Sequence, residues 1–322
     1  MGKNINLKTA TYNEFTPQEE PVNGKRWSYF NVYYLEDLRN IYYLCDKYVV
    51  DSIPNLYRLC VDIGLKSRSG KAWTQRNILE LVNALKNFNL ISSIEGYCVS
   101  KHGLFQVINF NDELCDIEKD VFKKLFLDYC RFKEFHELFI DNREEFDASF
   151  LEVNSTPIIS YSSSGKYTDH FINKSEPVVN VVAINSHNAD VTRFWDVYIK
   201  WGVTLGFIKK YPLKPFGVTT TPTVKGLSVA YFIRKMPDDF SILRFVVDEM
   251  EGSYVYIPEI IYTVIFKMRF TIEDIMNKIV EECLDDSSIF KPQSTSAIFV
   301  NEKEDFLFPK IGNTYITHLL KL

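Results

Sequence analysis

The sequence lacks the residue patterns that build metal or disulfide sites. Its six cysteines include no Cys-x-x-Cys pair, and its five histidines form no His-Glu-x-x-His motif and have no cysteine partners at zinc spacing. The simplest interpretation of the cysteines is that they are reduced thiols filling apolar cores, as in proteins of the cytoplasm. The sequence therefore predicts no metal and no cofactor.

Long apolar runs are also missing. No stretch reaches the roughly 18 consecutive apolar residues that indicate a membrane span. The first six residues are polar and lack the apolar segment of a signal peptide. Glycine and proline are few, whereas Asn, Ile and Lys are frequent, a composition typical of low-GC bacterial genomes. We therefore expect a cytoplasmic protein without a membrane span.

The common catalytic motifs are absent as well. The pair Gly165-Lys166 lacks the leading glycine of a phosphate-binding P-loop, and Tyr167 follows it where that loop needs Ser or Thr. No Gly-x-Ser-x-Gly nucleophile turn occurs in the chain. These absences favour a protein without enzymatic activity.

One enzymatic alternative stays open in the segment 141–192. A metal-dependent nuclease needs clustered carboxylates to hold the ions that activate water. Asp147 and Glu152 lie close in sequence, but Asn154 stands where a restriction-type nuclease carries a lysine. Ordinary surface acids explain these residues more simply, so a nuclease is the third hypothesis.

The net charge is −5, from 37 basic and 42 acidic residues, which argues against a protein that coats DNA through summed positive charge. One region has the opposite balance. Between Lys66 and Lys101 two acidic residues, Glu80 and Glu95, face six basic ones: Lys66, Arg68, Lys71, Arg76, Lys86 and Lys101. A local basic patch of this kind suits a phosphate backbone, although a charge run is usually only a solvated face.

The stretch Ile53 to Phe105 contains this patch and has a regular order. A short apolar-periodic segment ends at Gly64, and a basic turn follows at 66–71. Thr74 is then a good helix N-cap, with Trp73 and Ile78 at the positions of a hydrophobic staple. A second helical pattern and a polar hairpin pattern complete the stretch. The order is helix, basic turn, helix, β-hairpin.

The second helix of this stretch has two predicted faces. Its apolar positions share one side of a 3.6-residue period: Ile78, Leu81, Val82, Leu85 and Phe88. The other face is polar and predicted to be exposed: Gln75, Arg76, Glu80, Asn83, Lys86 and Asn87. An exposed face of Arg, Gln, Asn and Lys suits base edges and phosphates in a major groove.

The remaining chain predicts three further regions around this stretch. The expected organisation is a polar arm (1–26), an N-terminal module with flanking helices (27–140), a mixed α/β central segment (141–252) and a C-terminal module (253–322). A long helix is predicted over Ile117–Ile140, with a broad apolar stripe that includes Ile117 and must be buried against another module or a second copy.

The C-terminal module repeats the order with the opposite charge. Pro258 suits a helix first turn, and Thr271 is a predicted cap for a second helix. Two strands are predicted at Ser296–Val300 and Phe306–Phe308. From Ser253 onwards seven basic residues face ten acidic ones, so this module is expected to act as a scaffold or to dock a partner.

Residues 53–105 and 257–309 resemble winged helix-turn-helix domains. The resemblance implies a helix-rich α+β fold with tandem winged-helix modules and a mixed central segment. It implies a groove-reading helix and preceding turn at Lys71, Trp73, Thr74, Gln75, Arg76, Asn77 and Asn83, and a wing at Tyr97 and Lys101. Proteins of this superfamily include transcription regulators, replication initiators and subunits of bacterial restriction and phage-defence systems, and many bind only proteins, so the fold does not decide the function.

Two binding hypotheses follow. In the first, the protein binds double-stranded DNA, with Lys66, Arg68 and Lys71 on phosphates and Gln75, Arg76 and Asn77 at base edges. In the second, it is a subunit of a larger bacterial complex for defence or chromosome maintenance, docking protein through 117–140 or 253–322.

Overall fold

The computed structural model describes residues 32–94, 97–100, 105, 109–129, 132, 136, 158–161, 180–183, 189–212, 227–285, 289–294 and 305–322. Over these residues the fold is mixed α+β, with eight α-helices and four small sheets, which confirms the predicted class. The predicted arm 1–26 lies outside the described residues. No described helix has both the length and the apolar character that crossing a membrane requires.

The N-terminal unit follows the predicted order. Three helices, α1 (Leu35–Lys47), α2 (Ile53–Asp62) and α3 (Gln75–Asn87), precede an antiparallel hairpin of β1 (Ile91–Ile94) and β2 (Tyr97–Ser100). Helix α2 begins where Ser52 accepts a hydrogen bond from a first-turn N–H and Pro54 occupies the first turn. Helices α1 and α2 both pack on α3, so the three helices share one apolar core.

The next helix differs from the prediction. Helix α4 (Asp116–Asp128) ends twelve residues before the expected end at Ile140, because Tyr129 leaves the helical conformation. Ile117 is 75% exposed, so its place in the predicted stripe is wrong. The buried face runs through Glu118, Phe122 and Phe126, of which Phe126 belongs to the predicted stripe, and Glu118 forms an ion pair with Arg39. Val121 and Leu125 of that stripe are half-buried against the same core.

After the hairpin, the sequence predicts a short strand at 106–110, of which the structure describes two residues. Residues 106–108 lie outside the described residues, whereas Asn109 and Phe110 belong to a turn and not to a strand. This turn opens the segment 109–115, named here the α4 loop, which leads into α4.

The central segment forms a four-stranded sheet of order β4-β3-β6-β5. Strands β3 (Ile158–Tyr161) and β4 (Asn180–Ala183) are parallel, whereas β6 (Leu227–Phe232) is antiparallel to both β3 and β5 (Ile208–Tyr211). The β-branched run at 178–184 predicts a buried strand, and β4 falls within it. The prolines that follow Lys209 and Lys210 predict a basic turn there, but both lysines lie in β5, where each pairs with a residue of β6.

Helix α5 (Ala189–Thr204) packs on β5, and its Trp201 belongs to the apolar core of the N-terminal unit. The indole N–H of Trp201 donates to the carbonyl of Val32 at 2.8 Å. Gly202 is required at the contact with β5, because a Cβ there would lie 2.4 Å from the Ile208 side chain. His136 is a core histidine in this region: Nε2 donates to the Phe126 carbonyl at 3.0 Å, which leaves Nδ1 to accept from the Tyr198 hydroxyl.

Strand β6 joins the two ends of the molecule. Successive side chains of a strand point to opposite faces. Ala230 and Phe232 belong to the core of the N-terminal unit, whereas Val229 and Tyr231 belong to the core of the C-terminal unit. The central sheet therefore lies between the two units and contributes to both cores.

The C-terminal unit contains three helices and a three-stranded antiparallel sheet. Its elements follow in the order α6 (Ile242–Glu249), β7 (Tyr254–Tyr256), α7 (Ile257–Met268), α8 (Ile272–Cys283), β8 (Phe290–Gln293), a short pair of β9 (Lys310–Ile311) and β10 (Thr314–Tyr315), and β11 (His318–Lys321). The sheet order is β7-β11-β8, so the last strand pairs with both earlier ones. Pro258 and the Thr271 cap lie where they were predicted.

The predicted helix starts of this unit are found in the structure, but its predicted strands are not confirmed. Residues 296–300 lie outside the described residues. Phe306–Phe308 is not a strand, because Asp305–Leu307 forms a single turn of 3₁₀ helix and Phe308 is buried beside it. The partners that complete the observed sheet are strands β7 and β11, which lie far apart in sequence.

Candidate nucleic-acid interface

The turn between α2 and α3 is tightly built. Lys66 and Ala72 form a β-bridge, Ser67 N–H donates to the Lys71 carbonyl at 3.0 Å, and Gly70 N–H donates to the Ser67 carbonyl at 2.8 Å. Gly70 has φ +77°, a conformation that side chains other than glycine rarely adopt. The turn thereby presents Lys66 and Lys71 as exposed side chains at its base.

A carboxyl of α1 fastens the turn to the helices. Asp37 is buried, and its Oδ1 accepts a hydrogen bond from the backbone N–H of Arg68 at 2.8 Å. Burial raises the pKa of Asp37 to about 7, with the neighbouring Glu36 adding to the rise, while the Arg68 hydrogen bond and charge oppose it. The position of the turn therefore depends on a group that changes charge near neutral pH.

The Arg68 residue, predicted to contact phosphate, is exposed, but its guanidinium is already engaged by other groups of the protein. Nη1 donates to the Asn111 carbonyl at 2.9 Å, and Nη2 lies 3.3 Å from Glu113 Oε1. Its Nε lies 3.8 Å from Glu36 Oε1. Two carboxylates and one carbonyl thus surround this guanidinium, so the predicted contact requires these interactions to be exchanged.

Arg39 stabilises the α4 loop, which in turn contacts Arg68. Its guanidinium is buried, donates to the Asp112 carbonyl at 2.9 Å, and forms an ion pair with Glu118 at 3.2 Å. Asn40 adds a bond from Nδ2 to the Phe110 carbonyl at 2.9 Å. The sequence prediction did not include Arg39. Arg39 directly follows Leu38, a residue of the apolar stripe of α1, and this position is a signal that could have identified it as buried.

The first turn of α3 lies beside the basic turn and is exposed. Thr74 caps the helix as predicted: its Oγ1 accepts from Asn77 N–H at 3.2 Å and donates to Asn77 Oδ1 at 2.6 Å. Gln75, Arg76 and Asn77 are exposed. The Arg76 side chain is 80% exposed and lies 3.4 Å from Glu80, so it remains accessible to a ligand despite that contact.

The rest of the predicted polar face of α3 is covered, which corrects the sequence prediction. Glu80 and Asn83 are buried, and Lys86 and Asn87 are half-buried. The reason is that α3 packs against α1, α2 and β1, so most of its circumference lies in the core. Asn83 is therefore not placed to contact a base edge.

Trp73, also assigned to the groove-reading segment, is buried, and it belongs to the same apolar core as Ile78. Among the described residues nothing accepts a hydrogen bond from its indole N–H. Tyr97 begins β2, but its side chain and the whole of Lys101 lie outside the described residues. The structure thus brings Lys66, Lys71, Gln75, Arg76 and Asn77 together at one exposed corner.

Helix α8 of the C-terminal unit has a different surface. Its exposed residues include Glu273, Asp274 and Glu281. The Tyr211 hydroxyl donates to Glu273 Oε2 at 2.6 Å, and Lys209 Nζ lies 3.5 Å away from the same oxygen. Partial burial raises the pKa of Glu273, but the bond from Tyr211 and the charge of Lys209 outweigh burial and leave that pKa below its usual value.

Metal chemistry has no site within the described part of the chain, where no group of three or more His, Cys, Asp or Glu could hold an ion. Asp147 and Glu152, the residues of the nuclease hypothesis, lie outside the described residues. The chain matches no family model, no curated protein and no solved structure.

Proposed function

We propose that the protein binds double-stranded DNA with its N-terminal unit, and that both end units are winged-helix modules. The order of elements supports this proposal. The C-terminal unit runs helix, strand, two helices and four further strands, of which β8 and β11 join β7 in a sheet of order β7-β11-β8. The N-terminal unit runs three helices and a hairpin, with a bridge residue at Val50 between its first two helices. Such an order places the third helix toward a groove.

The observation that carries the function is the exposed corner formed by the basic turn and the first turn of α3. Lys66 and Lys71 project from a turn whose backbone is fixed by its own hydrogen bonds and by Asp37. Gln75 and Arg76 begin a capped helix beside it. A helix N-terminus carries partial positive charge and free N–H groups, and exposed lysines add ionic attraction for the DNA backbone.

The proposed roles follow from exposure. Lys66 and Lys71 contact phosphates, and Gln75 and Arg76 reach base edges from the first turn of α3, with Asn77 beside them. Asn83 and Trp73 support the helix from inside and take no part in contact. Because only one turn of α3 is exposed, the base contacts are expected to be few and the backbone contacts to supply most of the affinity.

The test is binding to a fluorescently labelled duplex, followed by anisotropy across a range of salt concentrations. The variant Lys71→Glu with Arg76→Glu should lose at least about tenfold in affinity and show a shallower salt dependence, because two backbone or base contacts become repulsive. The matched control is Lys235→Glu with Arg244→Glu, which changes the total charge equally at exposed positions of the other unit. Equal losses in both variants, or salt-independent binding, would overturn the proposal.

A second function is favoured by the acidic exposed face of α8, which suits a basic protein partner better than DNA. In that case the protein is a subunit of a larger assembly. Reversing two of these acids with Glu273→Lys and Glu281→Lys should then release the partner, while Lys71→Glu with Arg76→Glu retains it. The opposite pattern would favour the DNA-binding function.

A further inference from the structure

The cations of the proposed DNA-binding corner are not equally available. Lys66 and Lys71 have no carboxylate within ion-pair distance among the described residues, and both are exposed. Arg68 lies between them in the same turn but is held by Glu36 of α1 and by Asn111 and Glu113 of the α4 loop. Its side chain is only one-third exposed. Arg68 is thus exposed as a residue, but its guanidinium is already paired in the free protein.

The two carboxylates hold Arg68 in different ways. The Glu36 side chain is 13% exposed and lies at 3.8 Å from Nε, at the inner side of the guanidinium. The Glu113 side chain is 85% exposed and lies at 3.3 Å from Nη2, at the solvent side. Glu113 is thus placed by its backbone and not by packing, because its own carbonyl accepts from Arg39 at 3.3 Å. It is the partner that an incoming ligand can displace.

A carboxylate and a phosphate present similar oxygens to the planar donors of arginine. Glu113 consequently occupies the position that a phosphate oxygen would take on the outer edge of Arg68. An exposed ion pair of this kind is weak, so a phosphate already brought close by Lys66 and Lys71 can compete with it.

We propose that Arg68 is a phosphate-contact residue that Glu113 closes in the free protein, and that DNA must displace Glu113 to engage it. This inference rests on the proposed DNA-binding function and adds a self-inhibitory contact to it. Arg68 then contributes only to ligands that also satisfy the two lysines, which lowers the affinity for isolated phosphate groups relative to a continuous backbone.

The decisive variant is Glu113→Gln, which removes the competing charge and retains the shape of the side chain. Affinity for the labelled duplex should rise about three- to fivefold, the scale of an exposed ion pair. The matched control is Asp120→Asn on α4, which removes one charge from an exposed ion pair with Lys123 in the same unit. A gain in Glu113→Gln no larger than in Asp120→Asn would overturn the inference.

The variant Arg68→Gln distinguishes a phosphate-contact role of Arg68 from a purely structural role. If Arg68 contacts phosphate after release, Arg68→Gln should abolish the gain in the Glu113→Gln background and make the salt dependence shallower. If Arg68 only braces the α4 loop, both single variants should weaken binding, and the double variant should be no weaker than Arg68→Gln alone. That second pattern would contradict the inference.

A measurement on the free protein distinguishes failure of the inference from failure of the proposed function. The rate at which phenylglyoxal modifies Arg68, followed by mass spectrometry of the peptide, should rise in Glu113→Gln and stay unchanged in Asp120→Asn. Faster modification without any duplex binding would refute the proposed function and with it the contact role. Unchanged modification with intact duplex binding would refute the closed arginine and leave the function standing.

Discussion

In each end unit two consecutive helices lead into a strand, α2, α3 and β1 in one and α7, α8 and β8 in the other, but the second helix begins in different surroundings. In the N-terminal unit, twelve residues from Ile63 to Thr74 separate α2 from α3, and they include the basic turn at 66–71. In the C-terminal unit only Arg269, Phe270 and Thr271 separate α7 from α8, and all three are buried. At the start of α3 residues 74–77 are all exposed, whereas at the start of α8 Thr271 and Ile272 are buried and Glu273 and Asp274 are exposed.

The central sheet explains the surroundings of the start of α8. The Tyr211 hydroxyl, on β5, accepts a hydrogen bond from Ile272 N–H at 3.1 Å and donates to Glu273. A first-turn N–H that could meet a phosphate in α8 is therefore already satisfied inside the protein. No described residue takes the corresponding place at the first turn of α3. The start of α3 is therefore part of the surface, whereas the start of α8 makes an internal contact with β5.

The largest expected effect concerns the polar core of the N-terminal unit. Arg39→Ala should lower the free energy of unfolding by about 3–5 kcal/mol, because Glu118 is left buried without its ion-pair partner. Urea denaturation followed by circular dichroism would measure the loss. Replacing both Arg39 and Glu118 by Leu should cost less than Arg39→Ala, and a double variant at least as unstable would contradict this explanation. Lys123→Ala, which removes an exposed ion pair on α4, is the control and should change little.

A smaller effect is expected at the joint of the C-terminal unit. Tyr211→Phe removes the hydroxyl that links β5 to α8 and should cost about 1.5–3 kcal/mol, the range for hydrogen bonds to charged groups. The same denaturation experiment would detect it, with Tyr48→Phe as the control because Tyr48 is exposed. Duplex binding should be unaffected. A loss of binding would mean that α8 contributes to the interface and that the contrast between the units is wrong.

The smallest effect compares the two helix caps directly. Thr74 and Thr271 accept from the N–H three residues later at 3.2 and 3.0 Å, but Thr74 is exposed and Thr271 is buried. Thr74→Ala should cost about 1 kcal/mol and Thr271→Ala about 2 kcal/mol, since water can replace only the exposed cap. Thermal unfolding of the pair measures the difference. Equal costs would show that the two helix starts are equally solvated.

The sequence predicts the local elements of this molecule well, because their signals are local. The periodicity of α3, the caps at Thr74 and Thr271 and the proline at 258 each depend on neighbours within one turn of helix. The hairpin β1–β2 likewise joins adjacent segments. All of these lie where the residue pattern places them.

Features that depend on distant residues escape such prediction. The burial of Asn83 follows from how many elements surround α3, and the inward turn of Glu118 follows from Arg39, which lies 79 positions earlier. Strand β11 pairs with β7 across two helices. For the same reason, charge counts alone could not show that Arg68, although exposed, is paired with carboxylates from two other segments.

The alternation along β6 has a consequence for dividing the chain. Its odd-numbered residues Val229 and Tyr231 are needed by one core, and its even-numbered residues Ala230 and Phe232 by the other. Cutting the gene on either side of this strand deprives one half of part of its interior, so neither half is expected to be stable when produced separately. Inserting a single residue into β6 would exchange the two sets of side chains and damage both ends of the molecule at once.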